Sequence, residues 1–306
     1  MSARLRRTAA AVVLTAAACS ALLPTVADAA TPAVVNGTKG NGLTISNGTR
    51  YVVMNGTRVD FGVIVRDLAW NPSGTKAAFV DGNGNLDVAN ANGTGRVTVA
   101  RNPGGQTWSH PTWQVAAADK ADQIPAKDNL IFAAEKSGTT RLETVAATAH
   151  NGTPALLSLN HYAGPGVTGL PQTGNTWPNA GGPVGSAVYE NTRTGDVYIR
   201  DDYLRQQGGV LVQGSEPALS PNGDEVVFVR SVAGHDHIFE ETFGATKDTV
   251  KDLTPHGTSY YTEPTWSANG ATIAFRTPSG IDTMPANGSH APVQVSGYTG
   301  PAAYRG

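Results

Sequence analysis

Three segments of the chain align without gaps: AWNPSGTKAAF at 69–79, ALSPNGDEVVF at 218–228 and TWSANGATIAF at 265–275. In each, a large apolar residue (Trp70, Leu219, Trp266) is followed four positions later by glycine (Gly74, Gly223, Gly270) and nine positions later by phenylalanine (Phe79, Phe228, Phe275). A strand ending at the Trp or Leu, a tight Gly-tipped turn and a second strand burying the Phe satisfy that spacing. Two degenerate copies fit the same frame, Trp113 with Phe132 after an enlarged turn and Trp177 with Tyr189 after PNAGGPVGS. A further short alternating strand follows in each copy, such as DVYI at 196–199 or HIFE at 237–240. One copy is therefore a meander of about four strands.

The markers Trp70, Trp113, Trp177, Leu219 and Trp266 lie 43, 64, 42 and 47 residues apart, and propeller blades recur every ~40–50 residues. The long interval carries a Gly- and Pro-rich insertion around LNHYAGPGVTGLPQTG, which reads as a loop. A sixth frame opens at GPAAYRG (300–306) and stops after one strand, while LTIS (43–46), TRYVVM (49–54) and TRVDFGVIV (57–65) supply three strands separated by Asn-Gly turns. The two ends are thus expected to build one blade together. The fold expected is all-β, a six-bladed β-propeller of four-stranded antiparallel blades, with one blade shared by N- and C-terminal strands so that no sheet edge opens between first and last. No window keeps the i, i+3, i+4 stripe of a helix. The ten Asn-Gly dipeptides are then hairpin tips, which explains the Asn-Gly-Thr triplets without glycosylation.

The W-x-P-x-G-x-x-x-A-F frame, with the Asn-Gly-Thr-Gly turn from Asn92 to Gly95, resembles the propeller repeat of TolB-type proteins over residues 34–306. The resemblance implies a propeller architecture. It leaves function open, because similar blades occur in partner-binding proteins, in peptidase accessory domains and in some polysaccharide lyases.

Residues 1–29 are expected to be a signal peptide: Arg4, Arg6 and Arg7 form a basic head, Thr8 to Leu23 an apolar stretch, and Ala27-Asp28-Ala29 a small-x-small cleavage site. Residues 30–306 would form the propeller, exported to an extracytoplasmic location. Cys19 is the single cysteine; the residues before it lack the large aliphatic side chain of a lipoprotein signal, so lipidation there is disfavoured. No disulfide can then staple the mature chain, and a hydrophobic core must hold it. The apolar stretch is short for a membrane span. A net charge of −2 with 15% charged residues offers no basic field to nucleic acid.

Propeller ligands bind where each innermost strand begins, so the position three before each marker matters: Asp67, His110, Gly174, Glu216, Glu263 and, by extension, Gly300. Asp67, His110, Glu216 and Glu263 would face one another across a channel mouth and attract a cation or a basic peptide group. The competing reading makes each carboxylate a cap for backbone N–H groups in its own blade. Trp108, beside His110, and Tyr261, with Tyr260 before Glu263, would either stack on a sugar or peptide or shield the mouth. Trp70, Trp113, Trp177 and Trp266 are expected between blades. His235 and His237, placed in a turn on the same face, could share a divalent metal if Glu216 came near. Asp81, Asn83, Asn85 and Asp87 superficially match a calcium loop, yet Leu86 and Asn92 stand where Gly and Glu are required. No G-x-S-x-G elbow or Walker loop occurs.

These features point to a secreted, non-catalytic scaffold that binds a protein, peptide or cell-envelope ligand at the mouth, with no cofactor. Two alternatives stay open: a polysaccharide lyase or glycosidase at the same face, metal-dependent through His110, His235 and His237, and a lectin-like glycan binder that needs Trp108 or Tyr261 exposed.

Overall fold

A computed structural model describes residues 34–121, 125–159, 169–201, 208–242 and 249–306. The expected signal peptide and Cys19 lie outside the described residues, as does the middle of the 159–174 insertion. The described residues form six four-stranded antiparallel sheets and no helix, and so no helix long and apolar enough to cross a membrane.

Blade 1 is the shared blade: Ala302–Tyr304 pairs with Leu43–Ser46, followed by Tyr51–Met54 and Thr57–Asp60. Blades 2 to 6 begin at the strands Arg66–Trp70, Thr107–Ala116, Asn175–Gly181, Ser215–Leu219 and Thr262–Trp266, and each runs outward in chain order. The six innermost strands touch in cyclic order, closing a ring. Asn36 adds a bridge to Ser296 of blade 6, so the segment before blade 1 also ties it to the last blade.

The core is divided into six clusters, one between each pair of consecutive blades. The second strand of each of blades 2 to 6 feeds two of them at once. In Lys76–Val80, Ala77 and Phe79 pack toward blade 1 while Ala78 and Val80 pack toward blade 3. In Lys127–Lys136, Leu130 and Phe132 face blade 2 while Ile131 and Ala133 face blade 4. Burial on both faces is why these strands read as unbroken apolar runs rather than alternating ones.

Three marker tryptophans lie between blades as expected. The indole Nε1 of Trp70 donates to Thr44 Oγ1 at 2.9 Å, that of Trp113 to Ala69 O at 3.1 Å and that of Trp266 to Ala218 O at 3.0 Å. Each bond reaches the preceding blade, at its innermost strand for Trp113 and Trp266 and at its second strand for Trp70. Trp177 departs from the frame: in blade 4 the marker position is held by Ala180, whose N–H donates to Thr112 Oγ1 of blade 3 at 2.9 Å. Aligning that blade on its tryptophan shifts it by three residues, because a large aromatic can serve either the interface or the channel. The calcium-like loop is a hairpin turn, in which Asp81 accepts the N–H groups of Asn83 and Asn85, both at 2.8 Å.

Candidate ligand site at the channel mouth

All six innermost strands line one central cavity of about 340 Å³. Its mouth is built by a repeated backbone irregularity. In blades 2 to 6 the innermost strand carries two residues opposite one on its neighbour: Asp67-Leu68, His110-Pro111, Trp177-Pro178, Glu216-Pro217 and Glu263-Pro264. The first residue of each pair has positive φ, between 50° and 55° in all five. Among the described residues nine non-glycine residues have positive φ, and the other four, Asn55, Ser137, Asn151 and Ala233, each precede a glycine in a turn. Such a bulge bends the strand and re-aims a side chain. The residue opposite each bulge is Phe79, Phe132, Tyr189, Phe228 or Phe275, all fully buried, so the repeat's aromatic fills the space beneath the mouth. Proline tolerates the second bulge position because no ladder hydrogen bond is required of its nitrogen.

The mouth residue of blade 4 is therefore Trp177, and Gly174 is not at the mouth. An X-Pro pair in four of these five strands, and again at Gly300-Pro301, was the sequence signal for this register. Proceeding round the ring, Asp67 Oδ2 accepts the His110 N–H of the next blade at 3.1 Å. The rings of His110 and Trp177 stack with centroids 3.7 Å apart at 33°. Glu190, on the second strand of blade 4, accepts the Glu216 N–H at 2.6 Å, and Glu216 accepts the Glu263 N–H of the next blade at 2.6 Å. Arg276 donates to Glu263 Oε1 at 2.6 Å. Asp67, Glu190 and Glu216 thus do cap backbone N–H groups, but those of the following blade rather than of their own turn, while Glu263 is held by Arg276. They hold strained bulges in place, each of which costs about 1–3 kcal/mol by itself.

One half of the mouth, Asp67, His110 and Trp177, pairs an imidazole with an indole; the other, Glu190, Glu216 and Glu263, gathers carboxyls. Burial pushes the Glu216 carboxyl up to about 7, and the N–H of Glu263 offsets this only in part while Glu263, Glu190 and Asp236 add repulsion. Burial also raises Glu190, against the N–H it accepts, and Glu263, against Arg276. His110 is lowered by burial, with Asp67 opposing. Two atoms at the mouth are buried without a hydrogen-bond partner, Glu263 Oε2 and His110 Nδ1.

Trp108 and Tyr261 stand two residues before His110 and Glu263 and point into the core. Trp108 is 3% exposed against Phe132 and Tyr261 8% exposed against Phe275, so neither ring is available for stacking, and the exposure that a lectin-like reading needs is missing at both. Tyr260, at 50% exposure, is the surface aromatic of that loop. His235 and His237 open the strand His235–Thr242 rather than sitting in the turn, which is Ala233-Gly234. His237 Nδ1 lies 2.9 Å from Asp252 Oδ2, and the His235 ring packs 5.6 Å from Tyr260. Among the described residues no group of three or more His, Cys, Asp or Glu side chains is placed to hold a metal ion.

Comparison with family models gives no match, and no curated protein matches the chain. Solved structures do match. An Agrobacterium tumefaciens protein assigned as a TolB aligns with a TM-score of 0.57 and 17% identity over 84% of this chain and 89% of that one. A chain of a nidogen/laminin complex aligns at 0.55 with 11% identity over 86% and 97%. A Xanthomonas campestris gluconolactonase aligns at 0.51 with 12% identity over 78% and 77%. The class is thereby defined by its fold: a six-bladed β-propeller, similar in structure to that TolB. At these identities the likeness is one of fold.

Proposed function

We propose that the chain is a secreted, non-catalytic propeller scaffold that binds a protein or peptide ligand at the channel mouth by receiving a basic group. The observation that carries this reading is Glu263 Oε2, a buried acceptor without a partner beside two further carboxyls and opposite the His110–Trp177 pair. A lysine or arginine side chain would satisfy that oxygen, relieve the repulsion that Glu216 feels, and face an aromatic wall. The tethering of Asp67, Glu190 and Glu216 to backbone N–H groups favours a binding role, since those oxygens are already engaged. The likeness to a TolB and to a chain of a nidogen/laminin complex is consistent with partner binding. Export rests on the basic head, apolar stretch and cleavage site of residues 1–29.

One observation favours a second reading. A carboxyl held at about 7 suits a general acid for polysaccharide cleavage. A displayed library of short peptides panned on the purified protein separates the two. Retained sequences should share Lys or Arg, and Glu263→Gln should abolish their retention. Retention indifferent to basic residues and to Glu263→Gln would overturn the scaffold reading, and so would turnover of a polysaccharide that Glu216→Gln removes.

A further inference from the structure

The repeat places ten Asn-Gly dipeptides in the chain, and asparagine is among the thermolabile residues. Its side-chain amide is lost when the backbone nitrogen of the next residue attacks Cγ, which is easiest when that residue is glycine. A glycine nitrogen whose N–H is hydrogen-bonded must first break that bond before it can attack. In the hairpin tips, Gly84, Gly93, Gly223, Gly270 and Gly288 each donate to the carbonyl three residues back, at 2.8–3.1 Å. Gly48 donates to Val65 O, Gly152 to Val99 O and Gly56 to Thr38 Oγ1. Asn36 and Gly37 are half-buried and held by the bridge of Asn36 with Ser296.

Asn41-Gly42 differs. Gly42 N makes no hydrogen bond among the described residues, and both residues are exposed. Asn41 Oδ1 accepts the Leu43 N–H at 3.1 Å while Nδ2 donates to Gly37 O at 2.8 Å. The Leu43 N–H is positioned to stabilise the oxyanion that forms on Oδ1; Asn92, Asn222, Asn269 and Asn287 make the same bond to the second amide on, so what sets Asn41 apart is the exposed Gly42 nitrogen without a hydrogen bond. The same position closes the ring, because Gly42 O accepts the N–H of Arg305 at 2.9 Å and Leu43 begins the strand that pairs with Ala302–Tyr304.

We propose that Asn41-Gly42 is a self-modifying site in the closure of the propeller. The Gly42 nitrogen bonds to Cγ, the Cγ–Nδ2 bond breaks, and ammonia leaves carrying the proton from Gly42 N. Water then opens the resulting succinimide at either carbonyl, giving aspartate or isoaspartate. Isoaspartate adds one methylene to the main chain between the segment clasped to blade 6 and the first strand of blade 1. That displaces the Leu43 and Arg305 hydrogen bonds and loosens the shared blade.

The test is peptide mapping by mass spectrometry of the folded protein incubated in mildly alkaline buffer, beside the same protein in urea. In the folded protein Asn41 should convert first, about tenfold faster than any other Asn-Gly; in urea the ten should react at comparable rates. An intact Asn41, or another Asn-Gly reacting as fast in the folded state, overturns the proposal. Asn41→Ser keeps an oxygen acceptor for Leu43 and has no amide to lose. Aged wild type should unfold faster than fresh protein while aged Asn41→Ser does not; equal ageing of both would refute the link to ring closure.

Discussion

Replacing Glu216 by Gln should stabilise the protein at neutral pH and leave it nearly unchanged in acid. The Glu216 carboxyl stands at about 7 in the folded chain against an ordinary 4.5. Between those values the folded state binds a proton that the unfolded state has released, so stability falls as pH rises through this window. Below about 4.5 both states carry the proton and no penalty exists; above about 7 the full penalty applies, about 3 kcal/mol. Glutamine has the same shape, and its Oε1 can accept the Glu263 N–H that Glu216 holds at 2.6 Å, so the bulge of the next blade stays capped. Urea unfolding of both proteins from mildly acid to mildly alkaline pH would read the difference. Curves coinciding in acid and diverging by a few kcal/mol above neutrality are expected. A constant offset at every pH, or a variant weaker than wild type above neutrality, would refute the assignment of the strain to this buried carboxyl.

Three further outcomes follow from packing and ring closure. Arg96→Met should cost about 3 kcal/mol in urea unfolding, because Asp87 is fully buried with Arg96 at 2.6 Å as its cation; Asp87→Asn added to it should recover part of the loss. Gly214→Ala should destabilise by about 1–3 kcal/mol, since an added Cβ would lie 2.4 Å from Phe228 Cδ2, and a Tm equal to wild type would contradict that packing. Deleting residues 301–306 removes the strand that pairs with Leu43–Ser46 and should lower the denaturant midpoint and broaden the transition, whereas an unchanged sharp transition would show that the shared blade does not need its C-terminal strand.

Blade number, blade order and the sharing of one blade between chain ends were legible because each depends on local signals. Period-two alternation sets strands, Gly-tipped turns set hairpins, and the marker-to-phenylalanine spacing fixes the pairing of first and second strands. Asp67, Glu216 and Glu263 are the second residues of their innermost strands and His110 the fourth of its own, positions that the same spacing marks. The register of blade 4 was lost where the only guide was an aromatic, and the X-Pro pairs that mark the bulges carried the missing information.

What the sequence by itself determined is the ring: a repeat whose units cannot bury both faces alone must stack until it closes. Tertiary structure decided what each mouth residue does. The partner of Asp67 is the N–H of His110 one blade on, and that of Glu216 is the N–H of Glu263. Trp108 and Tyr261 turn inward because the side chain two places before a bulge points between blades, while Trp177 turns toward the channel because it occupies the bulge itself. Those outcomes depend on contacts between residues far apart in the chain and on a backbone irregularity that reverses which face a side chain takes; the X-Pro pairs mark the irregularity, but no local pattern of residues names the partner on the next blade.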